Sequence, residues 1–277
     1  MDWLPWSDAA GVAVGTGAAT QTLVRQHRLG LRKVAAWTRE LTVMFGLYAL
    51  WQLAGDLSLG GSAHAVARGA DLARDERLFG MPRESTFQHL FLGHHDLLKA
   101  FNLYYVGLHI AVTGACLVWV FARHRDRYPV VRNALALATG ACLLVALVPV
   151  APPRLVPGLG LVDVGRTVGP TVYPATARPG LDQLSAMPSV HVAWALIVAF
   201  AVVHVLRSPW KWLAALYPIF TTSVVVATGN HFWADGLVAL ALVALAVAAS
   251  VRWSRYERVP PVAHGSFEHP AQPVPVP

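Results

Sequence analysis

Charge is what this sequence has least of. Asp, Glu, Lys and Arg make up 13% of its 277 residues, about half of what soluble domains carry. That shortage excludes a soluble domain with an ordinary ionic surface, and equally a disordered chain. Cysteine is nearly absent as well. The two present, Cys116 and Cys142, lie inside apolar runs, which excludes a disulfide framework and the paired-cysteine spacing of zinc sites. No fixed-period repeat is present, and the N-terminus lacks the layout of a cleaved signal peptide, so it is expected to stay in the mature chain. What is abundant is apolar: 55% of the residues, with 10 tryptophans. The composition reads as an integral membrane protein. The formal net charge of +7 does not point to nucleic acid, because the basic residues gather in short turns between apolar stretches.

A helix that crosses a bilayer needs about 20 mostly apolar residues. Six stretches qualify as expected spans: 38–55, 101–122, 134–151, 190–206, 211–228 and 234–251. The expected fold is therefore an all-α polytopic membrane bundle of about six transmembrane helices. Residues 1–37 form an N-terminal segment, 38–251 the membrane catalytic domain and 252–277 a Pro-rich, disordered tail. The Ala/Gly/Thr-rich stretch 9–24 reads as a surface or disordered segment, with a further span as the alternative. Six spans put both termini on one side, and that side holds 14 of the 22 Lys and Arg. The positive-inside rule then places the termini in the cytoplasm and the long loops outside the cell membrane.

Residues 56–100 are too long for a turn. Phe87, Leu90, Phe91, Leu97 and Leu98 recur at helical spacing, which predicts interfacial helices between spans one and two. Residues 152–188 hold seven prolines and read as an irregular cover over whatever lies beneath.

Two short stretches carry chemistry. Met187-Pro188-Ser189-Val190-His191 stands at the start of span four, and Gly229-Asn230-His231-Phe232-Trp233-Ala234-Asp235 at the start of span six. His231 and Asp235 share a helix face. A carboxylate that accepts one ring N–H leaves the other nitrogen as a lone-pair nucleophile, and His191 is suited to protonate a departing oxygen. Arg154, in Ala151-Pro152-Pro153-Arg154, offers a planar cation that grips phosphate through two parallel hydrogen bonds. Free N–H groups at the starts of spans four and six favour an anion. Counting crossings brings the end of span three, the start of four, the end of five and the start of six to one face. Such a set suits phosphoryl transfer through a phosphohistidine, and neither a metal nor a cofactor is needed to stabilise the charge.

These residues resemble a known family. Pro188-Ser189-x-His191, followed about forty residues later by His231-x-x-x-Asp235, resembles the second and third motifs of the type-2 phosphatidic acid phosphatase superfamily. Pro152-Pro153-Arg154, Met187-Pro188-Ser189-x-His191 and Gly229-Asn230-His231-x-x-x-Asp235 are most similar to its inositol phosphorylceramide synthase branch. The resemblance covers roughly residues 60–251. It implies that His231 is the nucleophile, Asp235 its orienting partner, His191 the leaving-group acid and Ser189 a phosphate contact. Arg154, Asn230 and Arg178 complete the expected phosphate-binding set, with Arg166 a weaker candidate. The chain departs from the family's phosphatases at two places. Val224 and Val225 stand where those have Ser-Arg, and Thr171 stands where they have lysine seven residues before the Arg178-Pro179 pair.

The expected function is movement of a phosphoryl or phospho-alcohol group, phosphoinositol being one candidate, between lipids at the outer face. A phospholipid or polyprenyl-phosphate donor and a lipid or polyol acceptor are implied. The enzymatic alternative is a lipid-phosphate or polyprenyl-diphosphate phosphatase with water as acceptor; the alternative of another class is a non-catalytic lipid-binding or transport protein. Plainer roles stand beside each residue: a self-satisfied His231–Asp235 pair, Ser189 as a helix cap, Arg154 as a headgroup anchor. His109, in the middle of span two, is either functional or a packed, hydrogen-bonded core residue. Adjacent His94 and His95 point apart on a helix, which argues against a metal there.

Overall fold

The structure is a computed structural model and describes residues 5–25, 29–56, 61–169 and 181–256. It is an all-α bundle: the described residues are mostly helical and hold no strand. Among the described residues, four helices are long and apolar enough to cross a membrane: His95–Arg123, Tyr128–Ala146, Pro209–Ala227 and Trp233–Ser254. The chain is a membrane protein. Val190–Val205 is an apolar helix of 16 residues, and the first expected span lies within Leu29–Asp56.

Helix α1 (Trp6–Arg25) packs along α2 (Leu29–Asp56). Residues 9–24, expected as a surface or disordered segment, are thus helical. The Ala/Gly/Thr composition that suggested disorder instead lets two helices approach closely. Thr20 Oγ1 lies 2.7 Å from Thr38 Oγ1, Thr42 Oγ1 lies 2.9 Å from Thr16 Oγ1, and a Cβ on Gly17 would sit 3.5 Å from Thr42 Cγ2. Small residues bring the backbones together and the hydroxyls then satisfy one another.

Three helices follow: α3 (Ser62–Leu78), α4 (Glu84–His89) and α5 (His95–Leu103). α5 does not stay separate. It runs through a π-helical turn, Tyr104–Leu108, into α6 (His109–Arg123), so span two starts at His95 and Leu97 and Leu98 belong to it. α3 docks by backbone: Ala151 N–H donates to the Ala65 carbonyl at 2.9 Å. Gly69 permits the approach, since a Cβ there would meet the Ala151 oxygen at 2.7 Å.

α7 (Tyr128–Ala146), α9 (Val190–Val205), α10 (Leu216–Ala227) and α11 (Trp233–Tyr256) build the core with α6. Fully buried Ala134, Ala138, Ala193, Ala201 and Ala239 let these helices close on one another. Between α7 and α9 lie the 3₁₀ turn Pro153–Leu155, the short α8 (Val164–Thr167) and the 3₁₀ turn Leu181–Leu184. The described parts of the cover, 152–169 and 181–188, are irregular, as the prolines predict. α11 extends to Tyr256, five residues beyond the expected boundary at 251. The remainder of the Pro-rich tail, 257–277, lies outside the described residues.

Candidate active site

The link between α10 and α11 determines where His231 stands. α10 ends at Ala227, and two residues on stands Gly229, whose φ of +71° is the left-handed conformation that glycine adopts without a Cβ penalty. The Val225 carbonyl accepts the N–H groups of Asn230 and His231, at 3.0 and 3.2 Å, and Arg154 N–H donates to the Gly229 carbonyl at 3.1 Å. A five-residue connection is thereby tied to both α10 and the Pro-Pro-Arg turn.

His231 is 5% exposed. Its Nδ1 lies 2.8 Å from the Ala186 carbonyl oxygen and 3.2 Å from Asp235 Oδ2. A carbonyl oxygen can only accept, so Nδ1 carries the hydrogen and Nε2 keeps the lone pair. Asp235, fully buried, also accepts the Phe232 N–H at 2.8 Å, which completes the first turn of α11. Burial, foremost, holds the His231 ring in its neutral form, down to about 4; the Ala186 carbonyl opposes this, and the Arg154 charge reinforces it.

The His191 ring centroid lies 6.0 Å from that of His231. His191 stacks on Tyr105 at 4.1 Å and 20°, and the backbone of Tyr105 hydrogen-bonds its ring. Tyr105 belongs to the π-helical turn, a departure from α geometry common where side chains must be aimed. Behind His191, at 5.4 Å, stands His109, whose Nδ1 is 2.9 Å from the Tyr217 hydroxyl; Tyr104 joins it to Thr221 at 2.6 Å. The mid-span imidazole therefore sits beside the site, hydrogen-bonded rather than isolated.

Arg154 is buried near His231 and its Nε lies 3.5 Å from Asp163 Oδ2, which also faces Arg166 at 3.5 Å. Ser189 caps α9, its Oγ accepting the Val192 N–H at 3.3 Å. Asn230 spends one amide hydrogen on Thr228 Oγ1 at 2.8 Å. Both stand against the site with structural partners of their own. Arg178 lies outside the described residues. Val224 and Val225 are buried in the core, so that face of the site carries no polar side chain from them.

Residues 151–154, 186–191 and 228–235 thus converge on one place, together with Tyr105. A model of the PAP2 superfamily matches residues 70–249. The chain belongs to the PAP2 superfamily. Membership places it with membrane lipid phosphatases and phosphotransferases. No curated protein and no solved structure matches it.

Four residues near the PAP2 motifs escaped sequence reasoning: Glu76, Glu84, Gln88 and Tyr105. Gln88, fully buried, donates to the Val162 and Ala227 carbonyls at 3.0 Å each and accepts the Val162 N–H at 2.7 Å. It staples α4 to the cover and to the end of α10. Nothing in its local pattern separates it from a solvated polar residue, because its partners lie 74 and 139 positions away.

Proposed function

We propose that this PAP2-superfamily protein is a lipid phosphotransferase working through a phosphohistidine at His231, with the site at the outer face of the cell membrane. The observation that carries the reading is the pair of hydrogen bonds at His231 Nδ1, which leave Nε2 with its lone pair while His191 stands 6.0 Å away, ring to ring. That spacing suits a phosphorus atom held about 3–3.5 Å from the nucleophile, with its leaving oxygen toward His191.

In the first half-reaction, His231 Nε2 bonds to phosphorus, the phosphorus–oxygen bond to the leaving lipid breaks, and His191 gives that oxygen a proton. In the second, an acceptor hydroxyl gives its proton to His191 and bonds to phosphorus as the nitrogen–phosphorus bond breaks. Arg154 supplies the fixed positive charge beside the reacting group, an arrangement favoured in a water-poor site. The N-termini of α9 and α11 add oriented N–H groups; Ser189 and Asn230 sit at their approaches, and Arg178 belongs to the proposed phosphate-binding set on sequence grounds. The synthase-like motifs and the apolar Val224–Val225 pair support a lipid or polyol hydroxyl as acceptor, and a phosphoinositol group is one cargo consistent with them. The basic turn at Arg123–Arg132 supports cytoplasmic termini, and a reporter fused after Pro277 tests that orientation.

The deciding experiment incubates the protein with ³²P-labelled phospholipids, with and without a lipid alcohol. An acid-labile, base-stable phosphoprotein that is lost in His231→Ala supports the reading. Free phosphate as sole product, at a rate unaffected by the alcohol, makes the protein a phosphatase. Full activity in His231→Ala overturns the assignment.

A further inference from the structure

Glu76 is not part of any motif, yet it reaches the catalytic segment. It lies near the end of α3 and is 3% exposed. Its Oε1 accepts the Ala234 N–H at 2.6 Å, across 158 residues. Ala234 sits in the first turn of α11, between His231 and Asp235, where backbone N–H groups lack helical acceptors. α11 is thus capped twice: from within by Asp235, which takes the Phe232 N–H, and from α3 by Glu76.

The other end of the carboxyl meets a second acid. Glu84, at the start of α4 and 5% exposed, lies close enough to Glu76 to disfavour its ionised form. Were both carboxylates ionised, no hydrogen would lie between them, and Glu76 Oε2 and Glu84 Oε1 are buried without a donor among the described residues. One proton resolves this: a protonated Glu76 donates to Glu84 while still accepting from Ala234. We propose that Glu76 is a positioning residue of the active site: a neutral carboxyl that links α3, α4 and the first turn of α11, and so sets where His231 and Asp235 stand.

The surroundings favour the neutral form. Burial, first, and then the approach of Glu84 push Glu76 up to about 9; the Ala234 N–H opposes this, and the charges of Glu84 and Asp235 reinforce it. Of the nearby cations, Arg154 on the cover faces Asp163, and Arg68 on α3 itself donates its Nε to the Pro149 carbonyl. Ionisation therefore places a negative charge among acids, and the link through Glu84 is lost.

The inference rests on His231 being the phosphorus ligand, and one probe tests both without a known lipid. Orthovanadate mimics a five-coordinate phosphate, and its affinity is measured by thermal shift on the purified full-length protein from pH 6 to 10. Glu76→Ala should weaken binding at least 30-fold. Glu76→Gln keeps an acceptor for Ala234 and a donor for Glu84, so it should stay within about threefold of the parent. Above pH 9 the parent should lose affinity relative to Glu76→Gln, a comparison at each pH that cancels vanadate speciation. If Glu76→Ala binds as the parent does, or Glu76→Gln fails although folded, the positioning role is wrong. If the parent does not bind vanadate, or His231→Asn binds it unchanged, the underlying assignment of His231 fails instead.

Discussion

The Nδ1–H of His231 points at the carbonyl oxygen of Ala186, 2.8 Å away and closer than the carboxylate of Asp235 at 3.2 Å. In a Ser-His-Asp triad, replacing the orienting Asp by Asn costs about 10⁴-fold in turnover, because the imidazole is held in the wrong tautomer. Here the backbone carbonyl holds the tautomer even without the acid. Asp235→Asn should therefore cost less, about 10–100-fold in kcat, while His231→Asn removes activity altogether. Steady-state turnover of a ³²P-phospholipid by the two variants measures the difference. A loss in Asp235→Asn as complete as that in His231→Asn would show that the carboxylate, not the carbonyl, governs the ring.

Gly229 tests the architecture of the α10–α11 link. A Cβ there would stand 3.1 Å from the Arg154 Cβ and would require a φ of +71°, a conformation costing a non-glycine residue roughly 1–2 kcal/mol. Gly229→Ala should lower the melting temperature by several degrees. It should also lower kcat, since both Arg154 and His231 hang from this turn. Thermal denaturation and turnover, measured on one preparation, check the pairing of the two effects.

Arg154→Lys should be nearly as damaging as Arg154→Ala, with at least a tenfold loss of kcat/KM in each. An ammonium keeps the charge but cannot face Asp163 and a phosphate oxygen with one rigid fork. Recovery of parental kinetics by lysine would reduce Arg154 to a simple counter-charge.

Buried His231 stays neutral down to about 4, against an ordinary value of 6.5. As the proposed nucleophile, it should thus remain available in mild acid, and activity should show no loss near pH 6.5 attributable to it. Stability moves the other way. Between 6.5 and 4 the unfolded chain takes up a proton that the folded ring refuses, so folding is weakened as pH falls through that window. The melting temperature of the parent should drop more steeply there than that of His231→Asn.

Far from the site, Glu40 on α2 accepts from Tyr128 Oη at 2.9 Å and Arg132 Nη1 at 3.1 Å on α7. Glu40→Leu should cost about 1–3 kcal/mol by leaving buried donors unpaired. It should leave KM unchanged, which separates stability from catalysis in the same assay.

The sequence by itself determined the all-helical membrane architecture, because long apolar runs in a bilayer have few alternatives to a helix. It held the two histidine motifs as well, since their contacts are local. Asp235, in the first turn of α11, reaches back to His231, which stands two residues before the helix and not on a shared helix face, and Ser189 caps the turn that carries His191. Ser189 and Asn230 were legible as residues of these motifs, but not the partners their side chains found. The structure corrected residues 9–24, where small residues signalled close helix contact and not disorder. Only the tertiary structure decided what holds the site in place. The Ala186 carbonyl, Tyr105 beneath His191, Gln88 across the cover and Glu76 on α11 act over 45 to 158 residues. Each is a polar group whose partner is a backbone atom, a ring face or a second acid supplied by another element. A buried carboxyl and a solvated one look alike in a sequence; they differ in what the fold packs against them, and that difference decides whether the group keeps its proton.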